Sequence, residues 1–284
     1  MTLFISIGGK IYSIMRKIDS IEELKSIQLN ILLAFHRFCL NNGLKYSLAA
    51  GSLIGAIRHK GFIPWDDDID VYMLREDYEK LVSIFPSMYE SQYKFVSMER
   101  DGKWHRTYGL LYDSRTIKKE HVSDSYCEMG IGIDVFPIDD VPDKLSEWTR
   151  YNKLRILLRN MFTMKLLLVS SERSIWKNVL IVLSKIILFL FSYKLFAQMI
   201  NKYSQIHNGK GCSHVYENCL GVYNSKHPWL KKSFDDTIDT EFEEHQVKIM
   251  KGYDDYLTCV YGDYMQLPPE EKRVTHHAFE AYWK

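Results

Sequence analysis

Apolar and polar positions repeat along the chain with helical and strand periods, and together they predict a mixed α/β (α+β) protein. Apolar side chains recur at helical spacing from Leu24 to Phe35, between capping and acidic residues at 19–23 and an Asn-Asn-Gly end at 41–43, which predicts a long amphipathic helix. Helical spacing also occurs at residues 53–59, 75–85, 148–169, 174–200 and 253–260. Short apolar or alternating runs, typical of strands, occur at residues 44–49, 68–73, 93–98, 107–112, 116–119, 130–139 and 215–223. We therefore predict a mixed sheet flanked by helices, with an irregular connection over residues 229–243.

Acidic and apolar residues are interleaved in the segment that starts at Asp66, just after a loop that contains Gly and Pro. If residues 68–73 form a strand, Asp68 and Asp70 project from the same face while the apolar side chains enter the core. Two like charges held side by side repel each other, and a divalent cation between them removes that repulsion. Because all the ligands are oxygen atoms, Mg²⁺ or Mn²⁺ is the expected ion. The alternative is a solvated acidic loop, which would not need apolar residues between the acids.

A small-residue turn at Gly51 and Ser52 precedes this segment and leads into the first short helix. Backbone N–H groups at a helix N-terminus attract anions, so this turn is suited to a phosphate. Arg58, His59 and Lys60 follow at the other end of the helix. The planar guanidinium of Arg58 is the best suited of the three to grip a diphosphate. The alternative for these three residues is a solvated cationic helix end.

A third carboxylate, Asp134, interrupts an apolar run that is typical of a buried strand. An unpaired buried charge is costly, so Asp134 is expected to face a cation or a hydrogen-bonded site. Together with Asp68 and Asp70 it would form a cluster of three carboxylates on neighbouring strands. The alternative is an ion pair between Asp134 and an arginine such as Arg106 or Arg115.

Taken together, these motifs resemble those of the nucleotidyltransferase superfamily. In particular, Gly51-Ser-Leu-Ile-Gly-Ala-Ile-Arg-His59 and Pro64-Trp-Asp-Asp-Asp-Ile-Asp70 are similar to the LicD family of phosphocholine transferases. That family is distantly related to fukutin-type ribitol-phosphate transferases. The resemblance extends to Ile133-Asp-Val-Phe-Pro137 and to a tail over residues 256–269, followed by Arg273 and His276.

The resemblance implies a nucleotidyltransferase-like core and a metal-dependent reaction. Phosphocholine would pass from CDP-choline to a hydroxyl of a cell-surface glycan, free or lipid-linked, and CMP would be released. The glycan would be teichoic acid, capsule or a lipopolysaccharide sugar. Two Mg²⁺ or Mn²⁺ ions would be held by Asp68, Asp70 and Asp134. The expected phosphate and nucleotide ligands are Gly51, Ser52, Arg58, His59 and Lys60. The further substrate-site candidates are Trp65, Asp67, Asp263, Tyr264, Arg273 and His276.

Two alternative functions follow from the same residues. The donor could instead carry ribitol phosphate or glycerol phosphate, neither of which needs the aromatic contacts that a choline head group prefers. A catalytically silent, membrane-docked binding protein would also keep the fold. Three clustered carboxylates favour the enzyme over the binding protein.

The charge balance, the cysteine content and the N-terminal residues exclude some classes of function and location. Lys and Arg number 37 against 36 Asp and Glu, so the basic excess typical of a nucleic-acid-binding protein is absent. The five cysteines include no Cys-x-x-Cys pair, which is typical of a reduced, cytoplasmic protein. The first 18 residues lack the charge order and cleavage site of a signal peptide, and we expect them to form an N-terminal arm.

The near-zero total charge hides a strongly basic segment. Residues 148–202 contain ten basic residues and one acid, a net charge of +9 in a chain whose total is +1. Lys177, Ser184, Lys185 and Ser192 form one narrow polar stripe on an otherwise apolar helix. A membrane span is disfavoured, because Lys185 at the bilayer centre would cost about 2.5–3.5 kcal/mol. We therefore predict a basic amphipathic hairpin on the anionic inner face of the cytoplasmic membrane, the alternative being packing against the core or a second subunit.

These features divide the chain into four predicted parts. They are an N-terminal arm (1–18), a nucleotidyltransferase-like catalytic core (19–142), a basic amphipathic helical insertion (143–206) and a C-terminal part that completes the sheet and the substrate site (207–284). The three candidate metal ligands all fall in the catalytic core.

Overall fold

The computed structural model describes residues 15–102, 104, 106–119, 129–167, 169, 174–217, 227–274 and 279–284, together with the backbone of residues 4–7, 10–13 and 120. Its helices are α1 (Ile21–Asn42), α2 (Ala50–His59), α3 (Arg75–Ile84), α4 (Leu145–Leu166), α5 (Ile175–Ile187), α6 (Tyr193–Ser204) and α7 (Tyr253–Tyr261). Its strands are β1 (Phe4–Ile7), β2 (Lys10–Ser13), β3 (Arg16–Ile18), β4 (Ser47–Leu48), β5 (Asp70–Leu74), β6 (Tyr93–Val96), β7 (Gly109–Asp113), β8 (Thr116–Glu120), β9 (Gly132–Val141), β10 (His214–Glu217), β11 (Trp229–Leu230), β12 (Thr237–Phe242), β13 (His245–Met250) and β14 (Phe279–Trp283). Single turns of 3₁₀ helix lie at Lys231–Ser233 and Glu270–Lys272. The mixture of helices and strands confirms the predicted α/β fold class.

The central sheet is mixed, and β9 is its middle strand. β5 runs parallel to β9, with Asp70 opposite Asp134. On the other edge of β9, β7 pairs antiparallel with its first half and β10 with its second half. β4 extends the sheet beyond β5, β6 beyond β7 and β11 beyond β10. The starts of β5 and β9, which carry two of the candidate ligands, are therefore adjacent.

The predicted helix α1 is confirmed together with both of its ends. The Ser20 side chain accepts hydrogen bonds from the backbone N–H groups two and three residues later, which caps the N-terminus. Gly43 ends the helix in the left-handed conformation, at φ 60°, which favours glycine. The apolar stripe of α1 packs against β7, β9 and β13, and its fully buried members include Ile31, Leu32 and Phe35.

Three boundaries near the candidate site differ from the sequence prediction. The acidic strand begins at Asp70, so Asp68 lies before it and the alternation of a strand does not position the Asp68 side chain. The strand predicted over 44–49 is reduced to the two residues of β4. Helix α2 starts earlier than predicted, which places Gly51 and Ser52 inside its first turn.

Smaller sheets accompany the central one. β14 pairs with β3 and β8, so the predicted N-terminal arm contributes a strand beside the C-terminal strand. β12 and β13 form a hairpin that turns at Glu243 and Glu244, both with positive φ. The prediction of an irregular connection over residues 229–243 was therefore wrong. β12 is mostly exposed and polar, and it lacks the apolar alternation that predicts a strand.

The described part of the basic segment forms three helices where two were predicted. The helix predicted over 174–200 is interrupted between α5 and α6, and the Ser192 side chain caps α6 by accepting a hydrogen bond from the backbone N–H of Leu195. Residues of α4 and α6 and the residue that follows α5 form an apolar cluster separate from the main core, made of Leu158, Phe162, Leu188, Phe196 and Ile200. Of the strand predicted over 215–223, the structure describes β10, and the remainder lies outside the described residues.

Candidate active site

Asp70 and Asp134 lie opposite each other at the start of the parallel strands β5 and β9. The backbone N–H of Asp134 donates to the carbonyl of Ile69 at 3.0 Å, which fixes the register of the two strands. The backbone N–H of Asp70 donates to the Ser52 hydroxyl at 2.9 Å. Ser52 is buried and does not line the described cavity, so its side chain ties β5 to the first turn of α2.

The burial of Asp70 and Asp66 and their closeness to other carboxylates disfavour their ionisation. Burial, followed by the neighbouring carboxylates of Asp68 and Asp134, raises the pKa of Asp70 well above its ordinary value. Burial, with smaller contributions from Asp68 and Asp67, raises the pKa of Asp66 to about 7. Carboxylates that repel each other this strongly are stabilised in their ionised form by a bound cation. The donor set is made of oxygen atoms, and it therefore fits Mg²⁺ or Mn²⁺.

Asp66 is a site residue that the sequence analysis did not select. Asp66, Asp67 and Asp68 each offer a carboxylate oxygen within 4.8 Å of the others. The Asp66 Oδ2 lies only 2.6 Å from the position that a Cβ atom on Gly51 would occupy. A glycine at position 51 is thus required for this carboxylate to reach α2, and the pairing of a Gly-Ser turn with the first acid of the run is the signal that could have identified Asp66. We refer to Asp66, Asp67, Asp68, Asp70 and Asp134 as the carboxylate cluster.

The carboxylate cluster faces a cavity of about 830 Å³, a size typical of small-molecule and cofactor sites. The candidate residues that line it are Gly51, Arg58, Trp65, Asp67, Asp68, Asp70, Asp134, Asp263 and Tyr264. The lining also includes aromatic and cationic residues that were not selected from the sequence, namely Trp104, Arg106, Tyr108, Lys118, Tyr261 and Phe279. Trp104, Arg106 and Tyr108 lie in the loop before β7, whereas Lys118, Tyr261 and Phe279 come from β8, α7 and β14, so no single local motif connects all six.

Arg58 lines the cavity and is also bonded to the C-terminal tail. Its Nη1 donates to the backbone oxygens of Tyr264 at 2.9 Å and Gln266 at 3.3 Å, and its Nε donates to His59 at 3.0 Å. Burial and the nearby positive charge of Arg273 lower the pKa of Arg58. Arg58 therefore fixes the tail that forms one wall of the cavity while contributing positive charge to it.

Three other candidate residues are described but do not belong to the cavity lining. His59 packs edge-on against Trp65, with 6.4 Å between the ring centroids. Lys60 is exposed and ends α2 in the left-handed conformation, at φ 59°. Arg273 lies 5.6 Å from the centre of the Trp65 ring and donates to a tail carbonyl at 2.8 Å, so it supports this wall. His276 lies outside the described residues.

The wall formed by the loop before β7 and by strands β8 and β14 combines cations with aromatic rings. The Arg106 guanidinium lies 5.8 Å from the ring centroids of both Trp104 and Tyr108. The Lys118 ammonium lies 4.4 Å from the ring centroid of Phe279. These three rings therefore already face cations of the chain itself, and the wall presents positive charge to the cavity.

The two arginines considered as partners for Asp134 have different surroundings. Arg115 pairs with Asp113 at 2.5 Å, at the turn between β7 and β8. Arg106 lines the same cavity as Asp134, and its Nη1 donates to the Tyr108 hydroxyl at 2.5 Å. Arg115 is thus engaged elsewhere, whereas Arg106 belongs to the site.

Carboxylates at the start of two parallel strands of a mixed sheet, beside the first turn of a helix and a cavity of this size, agree with the resemblance of the sequence motifs to the nucleotidyltransferase superfamily. Residues 43–163 match the family described as LicD/FKTN/FKRP, nucleotidyltransferase domain. The lipopolysaccharide cholinephosphotransferase LicD of Haemophilus influenzae is 37% identical over 272 residues, which cover 93% of this chain and 98% of that protein. The chain belongs to the LicD family and is a transferase, as its motifs predicted.

Shorter similarities connect the chain with two uncharacterized proteins of Rickettsia. The protein of Rickettsia prowazekii is 42% identical over 65 residues, which are 23% of this chain and 24% of that protein. The protein of Rickettsia typhi is 36% identical over 75 residues, which are 26% of this chain and 24% of that protein. Both cover only a limited part of the fold and carry no statement about activity.

Proposed function

We propose that this enzyme transfers phosphocholine from CDP-choline to a hydroxyl of a cell-surface glycan and releases CMP. The observation that carries the proposal is the cavity in which the carboxylate cluster meets Arg58, Arg106 and Lys118. The similarity in sequence to a lipopolysaccharide cholinephosphotransferase, over nearly the whole length of both chains, supports the choice of phosphocholine. The glycan is a lipopolysaccharide sugar, teichoic acid or capsule, and the reaction takes place at the inner face of the cytoplasmic membrane.

The carboxylate cluster is suited to hold two Mg²⁺ or Mn²⁺ ions. Asp68, Asp70 and Asp134 are the proposed ligands, and Asp66 and Asp67 add oxygen donors close to Asp68. A bound divalent cation supplies positive charge that offsets the charge on a transferring phosphoryl group. The raised pKa of Asp70, which burial and its carboxylate neighbours cause, supports this role because the ionised cluster is unfavourable by itself.

The side chains around the cluster bind and orient the donor. Positive charge from Arg58 on one wall and Arg106 and Lys118 on the other suits a diphosphate between them. The acceptor oxygen forms a bond to the phosphorus that carries choline, and the bond from that phosphorus to the bridging oxygen breaks. CMP leaves with the electron pair, and the hydroxyl proton passes to a carboxylate of the cluster, for which Asp134 is the proposed acceptor.

A choline head group is attracted to aromatic faces and to negative charge. On the tail wall of the cavity, Asp263 offers a carboxylate between Tyr261 and Tyr264. We assign the quaternary ammonium to this wall because the Asp263 carboxylate complements its charge, whereas the opposite wall carries Arg106 and Lys118.

The experiment supplies the protein with CDP-choline, CDP-ribitol or CDP-glycerol, with Mg²⁺ or Mn²⁺, and measures CMP release with and without glycan acceptors. We expect release with CDP-choline that requires both an acceptor and the divalent ion and that stops when EDTA is added. Faster CMP release with CDP-ribitol or CDP-glycerol would show that the transferred group is ribitol phosphate or glycerol phosphate rather than phosphocholine. Tight binding of CDP-choline without turnover under any of these conditions would indicate a binding protein instead.

A further inference from the structure

Helix α5 has its polar side facing the protein and its apolar side facing outward. Ile181 is the buried residue of α5. At about 100° per residue, its polar residues Lys177, Asn178, Ser184 and Lys185 all lie within about 60° of Ile181. The helix therefore presents the opposite orientation from an ordinary surface helix, whose polar side faces water.

The outward side of α5 and the turn after it form a continuous exposed apolar surface. Trp176 is 79% exposed, and Phe189 and Leu190 in the turn are 78% and 86% exposed. The other exposed apolar residues of this surface are Ile175, Val179, Leu180, Val182, Leu183, Ile186, Ile187 and Phe191. We call this set the α5 surface. Exposed apolar areas of this extent mark interaction sites rather than ordinary surface.

Charge decides which partner fits. The segment 148–202 that contains the α5 surface carries a net charge of +9. Lys177 is exposed on α5 itself, and Lys153 and Lys194 are exposed on the two helices that hold it. Two copies of the chain that met through this surface would bring their positive charges together, whereas an anionic lipid surface complements them. No helix of the described residues combines the length and the apolar content needed to cross a bilayer.

We infer that the α5 surface inserts into the interfacial region of an anionic phospholipid bilayer, with α5 lying parallel to the membrane plane. Aromatic and aliphatic side chains on one side of a helix, within a segment that carries a large positive charge, are features of an interfacial helix. The helix has 13 residues, so the inserted segment is about 20 Å long.

The helical segment also contacts the loop that leads into the cavity. Asn201 of α6 donates to the Glu99 side chain at 3.5 Å, and the same loop continues to Trp104 and Arg106, which line the cavity. Docking through the α5 surface would therefore hold the cavity close to the bilayer. This part of the inference rests on the proposed function, and it assigns a lipid-linked glycan as the acceptor.

Flotation of the full chain with vesicles of phosphatidylcholine, with or without phosphatidylglycerol, tests the docking. We expect binding to the vesicles that contain phosphatidylglycerol and a loss of more than about tenfold in partitioning for the triple variant Trp176→Ser/Phe189→Ser/Leu190→Ser. The matched control is Leu40→Ser, which removes an apolar side chain that is 54% exposed on α1. We expect this control to bind as the wild type does. Equal binding of the triple variant and the wild type, or no binding by the wild type, would overturn the inference.

Two further measurements separate the remaining outcomes. Light scattering without lipid reports the oligomeric state, and a wild-type dimer that the triple variant converts to a monomer would assign the α5 surface to a second copy instead. CMP release with a soluble acceptor is measured on the same samples. Vesicle binding without CMP release would count against the proposed function alone, and CMP release without vesicle binding would count against docking alone.

Discussion

Asp70 on β5 and Asp134 on β9 are direct neighbours across two parallel strands, so the central sheet itself holds two carboxylates together. Replacing Asp70 by Asn removes one charge from the cluster but keeps its size. We expect CMP release to fall by roughly 10²–10³-fold or more, since electrostatic stabilisation of the transition state is worth about that much per group. In EDTA, the thermal midpoint should stay unchanged or rise, because the substitution relieves repulsion among the carboxylates.

The matched control for this experiment is Asp236→Asn. Asp236 is an exposed residue that pairs with Lys251 at 3.7 Å, away from the cavity. Its replacement should leave both turnover and stability close to those of the wild type. Full turnover in Asp70→Asn would remove the metal-ligand assignment of that residue.

The contact between Gly51 and Asp66 makes the site sensitive to a single methyl group. A Cβ at position 51 would lie 2.6 Å from the Asp66 Oδ2, so Gly51→Ala must displace this carboxylate. We expect a loss of CMP release of about tenfold or more with a folded protein, measured by turnover and circular dichroism. Gly102→Ala is the control, because a Cβ there meets only the Lys194 Nζ at 3.7 Å. If Gly51→Ala matched Gly102→Ala in turnover, Asp66 would have no role.

Arg58 and Lys60 are neighbours in sequence but occupy different environments. Arg58 bonds two backbone oxygens of the tail through Nη1 and the His59 ring through Nε, and the single nitrogen of a lysine cannot occupy both donor positions. For Arg58→Lys we expect the KM for the donor to rise by roughly tenfold or more and the tail to be cleaved faster in limited proteolysis. Lys60→Ala should change neither, since Lys60 is exposed and lies outside the described cavity lining. The reverse ranking of the two variants would assign the phosphate contact to Lys60.

A buried ion pair connects α3 to the central sheet. Arg75 and Asp139 are joined at 2.7 Å, both with almost no exposure, and Asn208 donates to the same carboxylate at 2.8 Å. Asp139→Asn would leave the arginine charge uncompensated, and we expect the free energy of unfolding to fall by about 3–5 kcal/mol in urea denaturation. Glu90→Gln, which breaks the exposed pair with Arg37, should cost no more than about 1 kcal/mol. Equal costs for the two variants would contradict this ranking.

The environment of His36 predicts a pH dependence of stability. Burial, and then the positive charge of Lys248, lowers the pKa of His36, so the folded state favours the neutral imidazole. The stabilisation is complete above the ordinary histidine pKa of about 6.5 and is lost as the pH falls through the lowered pKa of the folded state. As the pH falls from about 8 to about 5.5, the free energy of unfolding of the wild type should therefore decrease more than that of His36→Gln. A difference that stayed constant over this pH range would contradict the prediction.

Elements with strong local signals could be predicted from the sequence. The capping residues Ser20 and Gly43 define α1, and its apolar stripe is buried as expected. The β12–β13 hairpin was missed because backbone pairing rather than an apolar pattern holds β12. The break between α5 and α6 was missed because the apolar run continues without interruption through Phe189 and Leu190. In the structure these two residues lie in an exposed turn between the helices.

Some residues of the candidate site could likewise be predicted from local sequence patterns, and others could not. Asp70 and Asp134 could be found because each interrupts an apolar strand, and the two strands proved to be neighbours. Arg106 was considered only as an ion-pair partner of Asp134, and Lys118 was not selected, because both reach the cavity only through the packing of segments that are distant in sequence. Asp66 lay within the acidic run, but its importance depends on its tertiary contact with Gly51.

Strand β9 carries Asp134 and Asp139 five positions apart, so the two side chains project from opposite sides of the sheet. A register shift that placed Ile138 where Asp139 lies would leave Arg75 buried without its carboxylate and would remove Asp134 from the carboxylate cluster. A buried charge without a partner is costly, so this misaligned register is disfavoured. Formation of the buried pair between Arg75 and Asp139 therefore selects the same register of β9 that places Asp134 beside Asp70.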